Sequence, residues 1–170
     1  RQSRRRARRH PELRSGASIV VLTGRTGLVA LICVLPIALS PWPATAFAVL
    51  LALLVAAVVV DVSLAASTRR LRFTRSGATA ARLGEVVNAE LTIENAGRRR
   101  FRGQVRDAWP PSARADPRTH ALEMPAGQQI RVDTSLRPVR RGDQRSALVT
   151  ARSIGPLGLA GRQSSHRVPW

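Results

Sequence analysis

The chain has 170 residues and carries 28 basic side chains, all of them Arg, against 10 acids, for a formal charge of +18. That length holds one ordinary domain plus a modest additional element and excludes a large multidomain enzyme. A single Cys and three scattered His exclude a disulfide scaffold and a Cys/His zinc site.

The charge is unevenly distributed. Residues 1–25 hold eight Arg and one acid, residues 26–68 no Arg and one acid, and residues 69–170 the other twenty Arg and eight acids. The middle block therefore has the composition of a membrane segment between two polar flanks. Residues 1–20 place six Arg in the first nine positions and show no apolar periodicity, which predicts a disordered Arg-rich tail. Such a tail sets topology or binds anionic lipid or nucleic acid, and the topological role is the simpler one.

Residues 21–68 read as a helical hairpin. Gly27 to Leu39 is an apolar run containing Pro36, and it is ended by Ser40-Pro41-Trp42-Pro43. Its 13 residues make about 20 Å of helix, so it must borrow flanking residues or thin the bilayer. From Ala44 to Val60 every residue is apolar except Thr45, and the run continues past Asp61 to Ala66. About 22 such residues give roughly 33 Å of helix, enough to cross a hydrocarbon core of about 30 Å. The connector has no charge, and Trp42 suits a membrane–water interface. Arg14 and Arg25 precede the block, and Arg69, Arg70, Arg72 and Arg75 follow it. By the positive-inside rule the chain is a multi-pass plasma-membrane protein with both termini cytoplasmic. Ala44-Thr45-Ala46 imitates a signal-peptidase site, but cleavage there would leave a second apolar segment at the new terminus. Asp61 is the one ionisable residue in the block. In an antiparallel hairpin it comes level with Arg25, so an interfacial Arg25–Asp61 ion pair is expected rather than a proton relay.

After Arg70 the period changes to two. Val87, Ala89, Leu91 and Ile93 alternate with Asn88, Glu90, Thr92 and Glu94, the pattern of a half-buried strand. Leu71 and Phe73 belong to an earlier strand, and Asn95-Ala96-Gly97-Arg98 is a turn leading to Phe101, Gly103 and Val105. Ile130 to Leu136, then Ala147-Val149-Ala151, and a final segment ending near Val168 complete the set, with a turn at Arg141-Gly142-Asp143. Strands at 10–15-residue spacing with no helical pattern between them predict an all-β antiparallel, Ig-like sandwich of about seven strands over 69–170.

Several of these segments resemble a family. Leu22-Thr23-Gly24-Arg25-Thr26-Gly27-Leu28 before a hairpin is similar to the start of bacterial, especially actinobacterial, proteins of domain-of-unknown-function family 58. Arg82-Leu83-Gly84-Glu85, Ile93-Glu94-Asn95-Ala96-Gly97 and Asp107-Ala108-Trp109-Pro110 follow in the same order. Arg140-Arg141-Gly142-Asp143 then leads to Ser153-Ile154-Gly155-Pro156-Leu157-Gly158-Leu159, with Gly155 standing where that family usually has Asp. The resemblance covers 21–170. It implies two membrane helices, a sandwich and a C-terminal von Willebrand factor A-like domain, so this sequence corresponds to the N-terminal half. It also implies an accessory role beside AAA-type ATPases of the MoxR class in the assembly or maturation of other proteins.

No constellation for catalysis, cofactor or metal stands out. His10, His120 and His166 lack ligand spacing, Cys33 lies in an apolar helix, and there is neither a nucleophile elbow nor a P-loop. Trp109, Arg141 and Asp143 are candidate partner contacts, although for Trp109 a cap on the sandwich core is the preferred role. The expected function is a membrane-anchored, non-catalytic scaffold or docking protein. Its partners would be membrane lipids and a MoxR-class AAA ATPase or von Willebrand factor A-like domain, with no specific nucleic acid. The alternative is a membrane-tethered binder of anionic lipid or nucleic acid through Arg-rich segments. The Arg residues alternate with acids and amides along the strands, which favours the docking reading.

Overall fold

The structure is a computed structural model that describes residues 18–144, 146 and 148–168. The Arg-rich stretch 1–17 and Ala147 lie outside the described residues. In chain order the elements are β1 (Ile19–Leu22), α1 (Gly24–Ile32), α2 (Val34–Leu39) and α3 (Pro43–Leu64), followed by β2 (Leu71–Gly77) and β3 (Val87–Asn95). Then come β4 (Phe101–Asp107), β5 (Thr119–Met124), β6 (Gln129–Leu136), β7 (Val149–Ile154) and β8 (Ala160–His166).

The first apolar helix is interrupted where its chemistry requires it. Pro36 has no N–H to offer the Ile32 carbonyl and its ring crowds that group, so α1 stops at Ile32 and α2 resumes at Val34. Gly24–Leu39 is thus a short apolar helix. The stretch opening with α3 is the one described helix long and apolar enough to cross a membrane, with mean hydropathy 2.8 and only 6 % of its most apolar window covered by the rest of the protein. A core helix of a soluble protein would be mostly covered. Pro43 starts α3 at the position where a missing N–H is harmless.

The polar half is a pair of antiparallel sheets arranged like a sandwich. One sheet has the order β2-β3-β6 and the other β1-β8-β7-β4-β5. Period-two patterning sends Leu91, Ile93, Phe101, Val105, Met124, Val149 and Ala151 into a shared core, where each is at most 2 % exposed. A second cluster of Ala89, Trp109, Ala113, Ala115 and Leu136 fills the opposite end. Two strands were not anticipated. Thr119–Met124 pairs with β4, and Ile19–Leu22 pairs with β8 in the register Ile19↔Gln163 to Leu22↔Ala160. The latter corrects the expected boundaries: residues 19 and 20, assigned to a disordered tail, are strand. The hairpin is also not separate from the sandwich, because it is inserted between two strands of one fold.

The registers define two ends. Leu71, Asn95 and Gln129 lie together at one end of the three-stranded sheet. Leu22, Ala160, Ile154, Phe101 and Met124 lie at the matching end of the five-stranded one. Loops 96–100, 125–128 and 155–159 therefore share the end from which the helices emerge. Loops 78–86, 108–118 and 137–144 occupy the far end.

Candidate functional site

The helix-bearing end is built around Asp61, which is fully buried. Its Oδ1 accepts the Leu157 N–H at 2.7 Å, and its Oδ2 accepts the Leu159 and Ala160 N–H groups at 2.7 and 2.8 Å. A carboxylate in an apolar helix is tolerated because three convergent backbone donors replace its water. Gly155 makes the approach feasible, since a Cβ there would overlap the Asp61 carboxylate. Gly158 adopts φ +71°, which a residue with a side chain disfavours, and this bends the loop back around the acid.

The same loop is held from its other side by the segment preceding α1. The Thr23 N–H donates to the Leu159 carbonyl at 2.8 Å, and the Thr23 hydroxyl reaches the Gly158 and Leu159 carbonyls at 2.5 and 2.9 Å. Thr26 Oγ1 donates to the Leu159 carbonyl at 2.5 Å. The exposed Arg25 guanidinium lies over Gly158, where a Cβ would come within 2.9 Å of Nη1. The expected Arg25–Asp61 ion pair is thus corrected: among the described ion pairs none joins these residues. They meet opposite sides of loop 155–160, and the backbone amides reach Asp61 where Arg25 was expected to. Arginines from the sandwich instead cap α3: Arg162 Nε donates to the Val62 carbonyl at 3.1 Å, and Arg99 Nη1 donates to the Ser63 carbonyl. Both meet the negative end of the helix dipole and fill orphan acceptors of the last turn.

At the far end a second buried acid is satisfied differently. Asp107 Oδ1 receives Arg75 Nη2 at 2.6 Å and the Ser146 hydroxyl at 2.5 Å, and Oδ2 receives Trp109 Nε1 at 2.7 Å. The Arg75 and Asp107 side chains are 1 % and 2 % exposed. Arg75 Nη1 also donates to the Val168 carbonyl at 3.0 Å, and its guanidinium carbon lies 5.2 Å from the Trp109 ring centroid. Burial pushes the Arg75 guanidinium below its ordinary range, while the Asp107 charge and hydrogen bond oppose that shift. Neither residue was recognised from the sequence as a buried ion pair, yet the signal was there. Arg75 shares the strand phase of Leu71 and Phe73, and Asp107 that of Phe101 and Val105, so opposite charges sit at core positions of two strands.

Trp109 is 6 % exposed and belongs to the core, so its role as a free partner contact is corrected: its indole N–H is committed to Asp107. It also floors a cavity of about 750 Å³ together with Val87, Ala113 and Leu136. Loops 78–83 and 140–144 wall that cavity. Arg141 and Asp143 stand exposed at its rim on the turn that Gly142 closes with φ +109°. The structure therefore gathers the three candidate contacts at one end of the sandwich, two on the rim and one beneath.

His120 and His166 serve the packing. His166 Nε2 lies 3.1 Å from the Thr68 carbonyl, which identifies it as the protonated nitrogen, and the ring packs on Phe73 with centroids 4.9 Å apart. Burial lowers the His166 pKa, opposed by the Thr68 hydrogen bond. His120, 3.2 Å from Thr134 Oγ1, is also lowered by burial, with Asp107 and Asp133 pulling the other way. Among the described residues no group of three or more His, Cys, Asp or Glu is placed to hold a metal ion. In comparison with known proteins, the chain matches no family model and no curated sequence.

Proposed function

We propose that this chain is a membrane-anchored docking module rather than an enzyme. The helices cross the plasma membrane as a hairpin with both ends cytoplasmic, and the sandwich presents its far end to a protein partner. The observation that carries this reading is the Asp61 joint. An acid near the end of an apolar helix is gripped by three amides of the sandwich, so the folded domain is fixed to the helix without a flexible tether. A module whose orientation is set in this way suits docking at a defined height and face. Gly24–Leu39 forms about 24 Å of helix, which completes the hairpin if the bilayer thins locally. Arg25, Arg69 and Arg70 flank the block on the side read as cytoplasmic.

On the resemblance to domain-of-unknown-function family 58, the partner is an AAA ATPase of the MoxR class or a von Willebrand factor A-like domain. Arg141 and Asp143 are the residues to offer it. A photo-crosslinker at position 141 in membranes should capture such a partner, and one at Arg131 on the three-stranded sheet should not. Equal labelling at both positions, or none at 141 in cells that contain the ATPase, would remove this assignment.

A second reading is favoured by a different observation. Arg102 and Arg106 on β4 are exposed, and Arg152 pairs with Gln104 across the adjacent strand, while Glu123 is the one acid on that face. Such a face attracts nucleic acid or another polyanion at low ionic strength. Binding that collapses between about 50 and 200 mM salt marks it as nonspecific, whereas sequence-selective binding at the upper limit would replace the docking reading.

A further inference from the structure

The sandwich has no spacer between itself and the helix that carries it, which fixes its depth. From Pro43 to Asp61 α3 rises about 27 Å, and to Ser63 about 30 Å. A hydrocarbon core is about 30 Å thick. With Trp42, 66 % exposed, at the far interface, the loop bound to Asp61 lies at the boundary between acyl chains and headgroups. The Arg99 contact to the Ser63 carbonyl then lies at headgroup level. Leu157, in the loop that grips Asp61, is 51 % exposed, as expected of an apolar side chain meeting acyl chains rather than water.

The polar groups at the same level are basic. Arg69 and Arg70 follow α3, and Arg98, Arg99 and Arg100 form the 96–100 loop; all five are exposed. The two segments are tied together, since the Ala96 N–H donates to the Arg70 carbonyl at 3.1 Å. Asn95, 2 % exposed, staples the loop by donating Nδ2 to the Arg99, Met124 and Pro125 carbonyls while its Oδ1 accepts the Gly97 N–H. Among the described ion pairs at this end, Glu123 neutralises Arg100 at 3.4 Å, leaving Arg69, Arg70 and Arg98 outside any pair.

We infer that this end of the sandwich is an anionic-lipid site, in which Arg69, Arg70 and Arg98 bind headgroup phosphates while Leu157 enters the acyl boundary. The domain would then be seated in the headgroup layer and not held above it. This rests on the membrane-crossing reading. Guanidinium groups suit phosphate oxygens by geometry and charge, and each one near an anionic leaflet strengthens association about fivefold.

The test uses the full chain in nanodiscs of phosphatidylcholine alone or mixed with phosphatidylglycerol. Amide exchange in 96–100 should slow about tenfold with the anionic lipid, the effect of one to two engaged arginines. The Arg70→Gln/Arg98→Gln variant, which spares the helix cap at Arg99, should lose most of that difference with exchange in the β3 core unchanged. Equal exchange in both discs, or a lipid effect that survives in the variant, overturns the headgroup site. Alkaline carbonate extraction separates the two failures. Release of the chain would defeat the membrane-crossing reading and this site with it, whereas retention with equal exchange would defeat the site alone.

Discussion

The two buried acids of this protein sit at opposite ends of the sandwich and are stabilised by different means. Asp61 is satisfied by backbone, so its neighbours' side chains matter little and the path of loop 155–160 matters greatly. Asp107 is satisfied by side chains, a guanidinium, an indole and a hydroxyl, on segments that are distant in sequence. The first arrangement fixes one piece of the fold against another, as a joint requires. The second binds β2, β4 and the chain around Ser146 into one core, and it forms the support beneath the far-end cavity. The contrast indicates where each acid's loss will be felt: locally for Asp61, globally for Asp107.

The largest effect should come from the far end. Asp107→Ala leaves the Arg75 charge buried without its partner, and such a loss destabilises by about 3–5 kcal/mol. Denaturant unfolding followed by Trp fluorescence would show it, and a change below about 1 kcal/mol would mean that Arg75 finds water instead.

Removing the other acid should leave most of the sandwich intact. Asp61→Ala strips three backbone donors of their acceptor, but a surface loop can open to let water replace it, which holds the total to about 1–3 kcal/mol. The expected result is faster amide exchange and protease nicking at 155–160, with membrane insertion retained. Asp61→Asn keeps one acceptor oxygen and should fall between wild type and Ala. If β3 and β6 lose protection along with the loop, the local-versus-global distinction fails.

Gly155→Ala sharpens the comparison from the opposite side of the same contact. Its Cβ would overlap the Asp61 carboxylate, and overpacking of this kind costs about 1–3 kcal/mol. Combined with Asp61→Ala, which removes the carboxylate but leaves the Asp61 carbonyl oxygen 2.5 Å from the same Cβ, Gly155→Ala should cost less without becoming neutral. Additive losses in the double variant would indicate that the two residues do not share that space.

The smallest effect is a pH dependence. His166 and His120 have lowered pKa values because burial disfavours their charged forms. The unfolded chain therefore takes up protons first. Stability is flat above about pH 6.5, the ordinary His value, and falls as the pH drops through the lowered folded values. Melting curves at about pH 7.5 and 5.5 should show lower stability at the acid end, and His120→Gln/His166→Gln should flatten that slope. A wild-type protein more stable at the lower pH would contradict the burial argument.

Much of the architecture was legible because it follows from local chemistry. An uninterrupted apolar run declares α3, Pro36 explains the break between α1 and α2, and strict alternation marks β3 and β6. Other features escaped for equally physical reasons. β1 has four residues, too few for a period to register, and its partner β8 lies about 140 residues away. In β5, Thr119, Ala121 and Glu123 alternate with His120, Leu122 and Met124, a mixed pattern in which His120 obscures the apolar phase. Arg75 stands out in the sequence only as a cation flanking the apolar block and Asp107 only as part of a motif, although the strand phase of each places it inside.

By itself the sequence determined which segment is long and apolar enough to cross a membrane, which segments extend and where they turn, because periodicity and apolar length are properties of contiguous residues. It also placed the motif beginning Leu22-Thr23-Gly24-Arg25 and the Gly155-Pro156-Leu157-Gly158-Leu159 segment at the two ends of the resemblance, without indicating that they touch. Only the tertiary structure decided that β1 and β8 pair, that the first motif grips the loop formed by the second, and that Asp61 and Arg25 reach opposite sides of that loop. The reason is the nature of the donors. Asp61 is held by peptide N–H groups, which every residue but proline carries, so no residue type marks a backbone site in advance. It exists only once the loop has folded around the acid.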